Sequence, residues 1–516
     1  MTKRQSRAKS APLILAMLGG LIIAPAARAD PNSDEANRQN MMAEMRNSAA
    51  ANDRANFDSQ QRQQANADRY RSSGNGGSGS SGGSSGGNAS PSANYGARTS
   101  TGPQSIVASY NFTVHRQETP AALMTRLEQE ADGGNALSAF NLGRIYYTGF
   151  DGIPRDDATA RHWFFIAANA GHPGGEAQFG QMMYNGIGGP TDQTTALTWL
   201  KSAAGHGDSY GQALYGFWTL SDQVKADPDV RNPELVAILV KAADAGQLVA
   251  QAYLGTIVYR LGAGAPADQE RAAHYLRLAA DQNFAGAQTL LGRSYIYGTG
   301  VPRDYAQAVV WLRKGAAQND AEANYLLGRL AIDGAGGLPQ DAAAGAELVK
   351  RAADAGNMEA TGFYGVLLQQ GIGIPKDQSA GAILLQRAAE SHDSDAEENY
   401  AIAFFDGMGV TQNIATGVYW QKRAADDGNY SAAATYCVRA TTGNGMSKNA
   451  TEGVKYGRIG ASGGAARAQT CLGYAYLEGN GVPKDLPLAK SWFEKAAAQD
   501  YADAIDALKL PELSGI

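Results

Sequence analysis

The sequence predicts an all-α solenoid, and three observations lead to this fold class. Small residues recur along most of the 516-residue chain at steps of 36 to 39 residues, a period typical of stacked helical repeats. A glycine-rich turn begins six residues after most of them, and apolar residues on both sides of that turn recur at helical spacing. One such helix pair cannot bury both of its faces, so we expect about ten pairs to stack. The recurring small residues are Gly143, Gly180, Gly216, Gly255, Gly292, Gly328, Gly365, Ala401, Cys437 and Gly473.

The fifth repeat shows how each element follows from its residues. The segment "AQTLLGRSYIY" predicts a first helix, and Gly298 and Gly300 give the backbone freedom to reverse direction. Asp304 is the expected N-cap of the second helix, with Gln307 three residues later as in a capping box. A glycine-rich turn before a helix is also typical of phosphate-binding loops. Because ten tandem copies of one nucleotide site make little sense, we favour a structural role for these glycines.

The first 29 residues predict a secretory signal peptide. Basic residues at Lys3, Arg4, Arg7 and Lys9 precede the short apolar run "APLILAMLGGLIIA", and "ARA" offers a cleavage site after Ala29. We therefore expect a periplasmic or secreted protein without a transmembrane segment. Removal of this segment shifts the net charge from −6 to −11, which disfavours nucleic acid as a partner.

The remaining sequence divides by composition. Residues 30–118 comprise an Asn/Gln-rich arm and a Gly/Ser linker, which are expected to be largely disordered. Residues 119–136 predict an N-terminal capping helix, residues 137–500 the ten repeats, and residues 501–516 a C-terminal capping helix and tail. Two repeats depart from the pattern: the third carries "SDQVKADPDVRNP" and the fourth "RLGAGAPAD", and both loops are expected to bulge.

This pattern resembles the Sel-one-like repeat family, a branch of the tetratricopeptide-type helical repeats. The resemblance implies a right-handed α/α superhelical solenoid whose first helices line a concave groove, with the residue after each small residue pointing into it. From that row we select a candidate partner-binding set of Arg144, Gln181, Arg293, Arg329 and Tyr474. The residues that carry the resemblance in the fifth repeat are Ala287, Leu291, Gly292, Tyr295, Gly298, Gly300, Val301, Asp304, Ala308, Trp311, Lys314, Ala316 and Ala317.

An aromatic residue fills one slot in the second helix of most repeats. A ladder of this kind suits either a carbohydrate-stacking stripe or a packed core, and Leu384 in the same slot of the seventh repeat favours the core. The aromatic members are Trp163, Trp199, Tyr275, Trp311, Trp420, Tyr456 and Trp492.

The two cysteines, Cys437 and Cys471, lie on the first helices of adjacent repeats. An oxidising compartment would permit a disulfide between them. Stacked helices lie about 8–10 Å apart, whereas a disulfide requires Cα atoms within about 7 Å. Both a bridge and two buried thiols therefore remain open.

The sequence favours a non-catalytic scaffold that binds another protein. The six histidines are scattered, so neither a metal site nor a cofactor is expected. The motif around Ser462 matches G-x-S-x-G but lies at the end of a helix pair, away from any strand-to-helix elbow. Relatives of this kind suggest two alternatives: association with envelope polysaccharide or the cell wall, and hydrolysis of β-lactams.

Overall fold

The computed structural model describes residues 119–514 apart from 151, 228, 263, 264 and 266. The predicted signal peptide and the predicted arm lie outside the described residues. Every regular element that is described is a helix, and a single isolated bridge joins Phe150 and Ile153, so the predicted all-α fold is confirmed. The chain forms two compact bodies: an N-terminal body that ends at Arg303 and a C-terminal body that begins at Asp304.

In the N-terminal body, a single helix precedes four complete repeats and the first helix of the fifth. The helices are α1 (Pro120–Asp132), α2 (Ala136–Thr148), α3 (Asp157–Asn169), α4 (Pro173–Asn185), α5 (Gln193–Gly205), α6 (Ser209–Ala226), α7 (Pro233–Asp244), α8 (Leu248–Tyr253, continued through Leu254–Val258 and Tyr259–Leu261), α9 (Gln269–Asp281) and α10 (Ala285–Tyr297).

The C-terminal body starts with the second helix of the fifth repeat and continues through the tenth. Its helices are α11 (Tyr305–Ala317), α12 (Ala321–Asp333), α13 (Ala342–Asp354), α14 (Met358–Gln370), α15 (Gln378–Glu390), α16 (Ser394–Asp406), α17 (Ile414–Asp426), α18 (Tyr430–Thr442), α19 (Ala450–Ser462), α20 (Ala466–Glu478), α21 (Leu486–Ala497) and α22 (Ala502–Ala507), followed by a 3₁₀ turn at Pro511–Leu513.

The recurring small residue is where the two helices of a repeat approach each other. A Cβ added at Gly143 would lie 2.6 Å from the Phe164 ring, and one added at Gly473 would lie 2.5 Å from the Phe493 ring. Both distances are shorter than real Cβ contacts, so a larger residue would force the helices apart. The recurring small residue therefore allows the two helices of a repeat to pack closely.

The glycine pair in the turn is required by the backbone. Gly298 and Gly300 have φ values of 72° and 70°, in the left-handed region that favours glycine. A Cβ on Gly300 would also overlap the backbone carbonyl of Gln269 at the start of α9. The Asp304 carboxylate accepts hydrogen bonds from the Ala306 and Gln307 N–H groups, as expected for the N-cap of α11.

The third and fourth repeats depart from the pattern inside their first helices. In the third, α6 runs on to Ala226, so the residues SDQVKA continue the helix where we expected a bulging loop. No glycine stands at the usual turn position, and the chain has no residue there that favours a reversal. In the fourth, α8 contains a π-helical turn at Leu254–Val258, which accommodates an extra residue within a helix.

The aromatic slot of the second helices belongs to the core, as expected. Tyr456, Trp311 and Tyr275 are buried, with exposed fractions of 1%, 5% and 7%. The other four tryptophans of the slot are half-buried, and all four pack against core clusters: Trp163, Trp199, Trp420 and Trp492. The slot therefore supplies packing area between neighbouring helices.

Candidate interaction surface

The three predicted groove residues of the N-terminal body lie on first helices. The Arg144 guanidinium lies 6.0 Å from the centre of the Phe140 ring, and that of Arg293 lies 6.0 Å from the Tyr297 ring. Both pairs are one helical turn apart, a spacing that suits a cation–π contact. The backbone carbonyl of Gln181 accepts a hydrogen bond from the Asn185 side-chain amide. These contacts stay within one helix each, and none of them links the three residues to one another.

In the C-terminal body, Arg329 and Tyr474 lie on different first helices with different surroundings. The Arg329 guanidinium lies 5.5 Å from the Tyr325 ring and 5.6 Å from the Phe363 ring, so it stacks between two neighbouring repeats. Tyr474 is 38% exposed and packs edge-on against Phe493, with ring centres 5.0 Å apart. Burial raises the pKa of Tyr474, and Asp503 in α22 adds to the shift.

Other members of the row that follows the small residues are buried. Phe217, Thr256 and Val366 are 1%, 7% and 4% exposed, and the Thr256 hydroxyl donates to the Ala252 carbonyl of its own helix. A row defined only by its position after the small residue therefore mixes surface and core positions. Periodicity specifies the repeat but does not by itself specify which face each member occupies.

Four carboxylates near the starts of α14 and α16 form what we call the acidic surface: Glu359, Asp393, Asp395 and Glu398. Glu359 lies in the first turn of α14, and the other three lie at the N-cap and in the first turns of α16. Asp393 caps α16 by accepting a hydrogen bond from the Ala396 N–H. Acidic side chains in the first turn of a helix are stabilised by its dipole. The helix dipole accounts for one carboxylate at each helix start, but it does not account for four carboxylates lying together.

Burial and mutual repulsion disfavour the ionised form of these carboxylates. Loss of water contact raises the pKa of Asp393 to about 7, and the neighbouring carboxylates of Asp395 and Glu359 add to the rise. Loss of water contact likewise raises the pKa of Asp395, although Arg329 opposes the change. The pKa of Glu398 is raised for the same reason. A cation placed against this surface would therefore stabilise the charged form of each group.

The acidic surface continues into the ninth and tenth repeats through polar side chains. The Asn429 amide donates to Asp395 at 2.9 Å, and the Ser431 hydroxyl donates to Glu398 at 2.9 Å. Arg467, in the first turn of α20, opposes the rise in the Glu398 pKa. Arg329 of α12 and Arg467 of α20 thus lie on either side of the carboxylates of α14 and α16. All of these are first helices of their repeats. The segment "HDSDAEEN", with four acids in six residues, was the sequence signal for this surface.

A second set of residues that the sequence analysis missed lies four positions after the N-cap of the first helices. This polar slot is buried in most repeats. In three of them its glutamine amide donates to a carbonyl eight residues earlier, at the end of the preceding repeat: Gln212 to Ala204, Gln251 to Ala243 and Gln288 to Ala280. Each of these carbonyls also accepts a backbone N–H from the following connection, so the glutamine adds a second hydrogen bond at the end of the helix. The buried members are Glu176, Gln212, Gln251, Gln288, Asn324, Thr361, Glu397 and Gln469.

Cys437 and Cys471 are joined by a disulfide in the structure, with their Cα atoms 6.4 Å apart. This separation is shorter than the usual spacing of stacked helices. The reason lies in the residue opposite: Gly457 of α19 contacts both Cys437 and Leu472 of α20. Without a side chain at Gly457, the first helices of the ninth and tenth repeats approach closely enough for the bond.

Two further observations concern function. Among the described residues, no helix is both long enough and apolar enough to cross a membrane. Ser462 is the last residue of α19, and its hydroxyl donates to the Ile459 carbonyl at 2.7 Å. That position is a helix end rather than a strand-to-helix turn, as the sequence indicated.

Comparison with known proteins identifies the repeat. The family model described as Sel1 repeat matches eight stretches that together span more than half of the chain: residues 136–172, 176–208, 248–284, 285–320, 321–357, 359–393, 394–429 and 466–501. The third and ninth repeats fall outside the match. The third has the extended α6, and the ninth has the cysteine at its small position.

Solved structures and a curated relative are similar to this chain. The protective antigen c5321 of uropathogenic Escherichia coli, which displays an SLR fold, is 29% identical with a TM-score of 0.52, over 74% of this chain and 80% of that one. A Sel1 repeat protein from Oxalobacter formigenes is also 29% identical, over 61% of this chain and 89% of that one, with a TM-score of 0.43.

The curated relative is the ERAD-associated E3 ubiquitin-protein ligase component HRD3A of Arabidopsis thaliana. It is 37% identical over 62 residues, which are 12% of this chain and 9% of the plant protein. The match thus spans less than a tenth of that relative. The eight matched stretches, which span more than half of the chain, show that the chain belongs to the Sel1 repeat family.

Proposed function

We propose that this chain is a non-catalytic, extracytoplasmic scaffold that binds a protein partner through the first helices of its C-terminal body. Sel1 repeat proteins are in general interaction scaffolds. The acidic surface is the observation that carries the proposal here, because carboxylates from successive repeats are held together at a cost in electrostatic free energy. A partner segment bearing lysine or arginine would remove that cost, so we expect a cationic partner.

The predicted position outside the cytoplasm is supported by residues 1–29 and by a relative. The basic, apolar and small-residue regions of that segment are those of a secretory signal. The similar protein c5321 is described as a protective antigen, and antibodies reach antigens that lie outside the cytoplasm. N-terminal sequencing of the mature protein tests this part. A first residue of Asp30 is expected, whereas an intact Met1 would contradict it.

The binding proposal is tested by crosslinking the tagged protein in its own cells and identifying what is captured. The acidic-surface variant carries Asp393→Asn, Asp395→Asn and Glu398→Gln. Asparagine keeps the N-cap of α16, because Asn357 and Asn429 cap the equivalent helices of the adjacent repeats. The matched control carries Glu347→Gln, Glu390→Gln and Glu494→Gln, three exposed acids on second helices. It makes the same change in net charge on a different face.

We expect a partner that the unaltered protein and the control capture and the acidic-surface variant loses. A second variant with Arg144, Arg293 and Arg329 changed to alanine tests the predicted row. A partner lost from that variant and retained by the acidic-surface variant would move the site to the arginines. Capture that neither variant reduces would contradict binding through the first helices.

A further inference from the structure

In the second and fourth repeats, the polar-slot residue of the first helix faces the C-cap residue of the second helix, and the paired groups are chemically complementary. In the second repeat, Glu176 accepts a hydrogen bond from Ser202 at 2.9 Å and lies 2.9 Å from the His206 ring nitrogen Nδ1. In the fourth, the Gln282 amide donates to Gln251 at 2.7 Å. An acid faces a base, or an amide faces an amide, so these buried groups are satisfied.

The eighth repeat differs from both by placing an acid opposite an acid. Its slot residue is Glu397, which is 0% exposed, and its C-cap residue is Asp427. Arg423 brings its Nε to 2.6 Å from one Glu397 oxygen but remains 4.0 Å from Asp427. The contact with Arg423 is an ion pair without hydrogen-bond geometry, so neither Glu397 oxygen accepts a hydrogen bond from the described residues. One guanidinium thus serves two carboxylates, and a fully buried carboxylate lacks the hydrogen bonds that such a group requires.

A histidine from the preceding connection completes the cluster. His392 Nδ1 lies 2.8 Å from Asp427 Oδ2, and ligand atoms of His392, Glu397 and Asp427 lie within 4.8 Å of one another. His392 has a φ of 64°, at a position where most repeats have glycine and the fifth and its neighbour have asparagine. The imidazole is therefore displayed from a conformation that histidine adopts only at a cost.

We propose that His392, Glu397 and Asp427 form a binding site for a divalent transition-metal ion of the zinc class. One imidazole nitrogen and two carboxylate oxygens are ligands that zinc accepts, with a water in the fourth position. Zinc–ligand bonds of about 2.0–2.2 Å require ligand atoms about 3.3–3.5 Å apart. Separations of up to 4.8 Å must therefore shorten by up to about 1.5 Å to reach that geometry. Arg423 keeps its contact with one Glu397 oxygen, and the ion supplies the second positive charge that the acid pair lacks.

Such an ion would join the connections on both sides of the eighth repeat. His392 lies between α15 and α16, Glu397 lies in α16, and Asp427 lies directly after α17. Binding would fix the start of α16, which also carries Asp393 and Asp395 of the acidic surface. The metal site does not depend on the proposed function, because it concerns this chain alone.

The site is tested by titrating the purified, chelator-treated protein with Zn²⁺ in a calorimeter, and with Co²⁺ by visible absorption. His392→Gly places at that position the residue most other repeats use, and Glu397→Gln places there the residue of the slot in four other repeats. Both variants therefore preserve the local fold, which circular dichroism verifies. Glu176→Gln is the matched control, because it makes the same change in a slot whose partners are Ser202 and His206.

We expect one Zn²⁺ per chain, with affinity reduced about tenfold or more by His392→Gly and by Glu397→Gln and unchanged in Glu176→Gln. Co²⁺ should give the d–d absorption of a site with nitrogen and oxygen ligands. Zinc binding that survives both variants overturns the proposal, as does the absence of binding at about 100 µM Zn²⁺. Binding of Ca²⁺ but not Zn²⁺ also overturns it, because calcium takes oxygen ligands only.

Discussion

Gly457 faces Cys437 across the helix pair of the ninth repeat, and a Cβ added at Gly457 would lie 2.8 Å from the Cys437 sulfur. This arrangement reverses that of the tenth repeat, in which glycine stands on the first helix at Gly473 and the large Phe493 stands opposite. In the ninth repeat the larger residue, Cys437, is on the first helix and the glycine, Gly457, is on the second. The exchange keeps the two helices close while allowing a thiol on the first helix.

The exchange predicts that Gly457→Ala destabilises the C-terminal body. The new methyl group would contact the Cys437 sulfur at 2.8 Å and Leu472 at 3.0 Å, and α19 cannot move away without losing packing. We expect a loss of about 1–3 kcal/mol in the free energy of unfolding, measured with urea. The control is Gly205→Ala at the end of α5, where a Cβ meets no atom within 4 Å. There, the better helix propensity of alanine should give no loss. Equal destabilisation by both changes would contradict the packing argument.

The disulfide predicts a second, larger effect. Cys437 and Cys471 are 34 residues apart in sequence, and closing a loop of that length lowers the entropy of the unfolded chain by an amount equivalent to about 3–4 kcal/mol. Changing both residues to serine should therefore destabilise the ninth and tenth repeats, which hydrogen exchange would report as faster exchange in α18 and α20. Mass spectrometry of the unreduced mature protein checks the premise. If both cysteines are free thiols in that protein, the disulfide is absent and the predicted destabilisation should not occur.

The buried Glu397 predicts a pH dependence. Burial raises its pKa from 4.5 to about 8, with Asp427 adding to the rise and Arg423 opposing it. Between those two values the folded protein holds a proton that the unfolded chain releases. The contribution of Glu397 to stability is therefore complete below the lower value and is lost as the pH approaches the higher one.

Glutamine at this position does not titrate, so Glu397→Gln isolates the effect. The free energy of unfolding of the variant, relative to that of the unaltered protein, should rise between about pH 5 and pH 8 and then level off. Denaturation in urea with a chelator present measures it, since the chelator removes any bound metal ion. Glu176→Gln serves as the comparison, because its carboxylate has a hydroxyl and an imidazole as partners. A constant difference across this range would show that Glu397 does not hold its proton.

The polar slot predicts that Gln251→Ala is costly. The Gln251 amide donates to the Ala243 carbonyl at 2.9 Å and its oxygen accepts from Gln282 at 2.7 Å, so truncation leaves two polar groups without these partners. We expect a loss of about 2–4 kcal/mol in the stability of the N-terminal body. Gln370→Ala, at the exposed end of α14, should change stability by less than about 0.5 kcal/mol. A Gln251→Ala variant as stable as the unaltered protein would contradict the proposed role of the slot.

Features with local causes could be predicted from the sequence. The turn at Gly298 and Gly300 and the N-cap at Asp304 follow from the backbone preferences of single residues. The packing role of the aromatic slot followed from Leu384, which fills it without stacking on a sugar. The sequence of one repeat and the repeat length were enough for these predictions, which do not depend on the contacts between repeats.

Features that arise between repeats could not be predicted in the same way. Gln251 is an ordinary helix residue by sequence, and its burial exists only because the preceding repeat ends against it. Asp393 and Asp395 likewise look like favourable first-turn acids until Arg329 and Glu359 are brought beside them. The bridge between Cys437 and Cys471 stayed open because a general helix spacing ignores the missing side chain at Gly457.

The hydrogen bonds of the polar slot have a consequence for engineering. The bond from Gln212 to Ala204 crosses the short connection between two repeats, so added length there would break it. The loop within a repeat is also bridged, for example by the bond from the Asp192 N–H to the Met183 carbonyl, but its length already varies, as the long α6 of the third repeat shows. Tags, fluorophores or whole guest domains should therefore be tolerated inside a repeat and rejected at the joint between repeats.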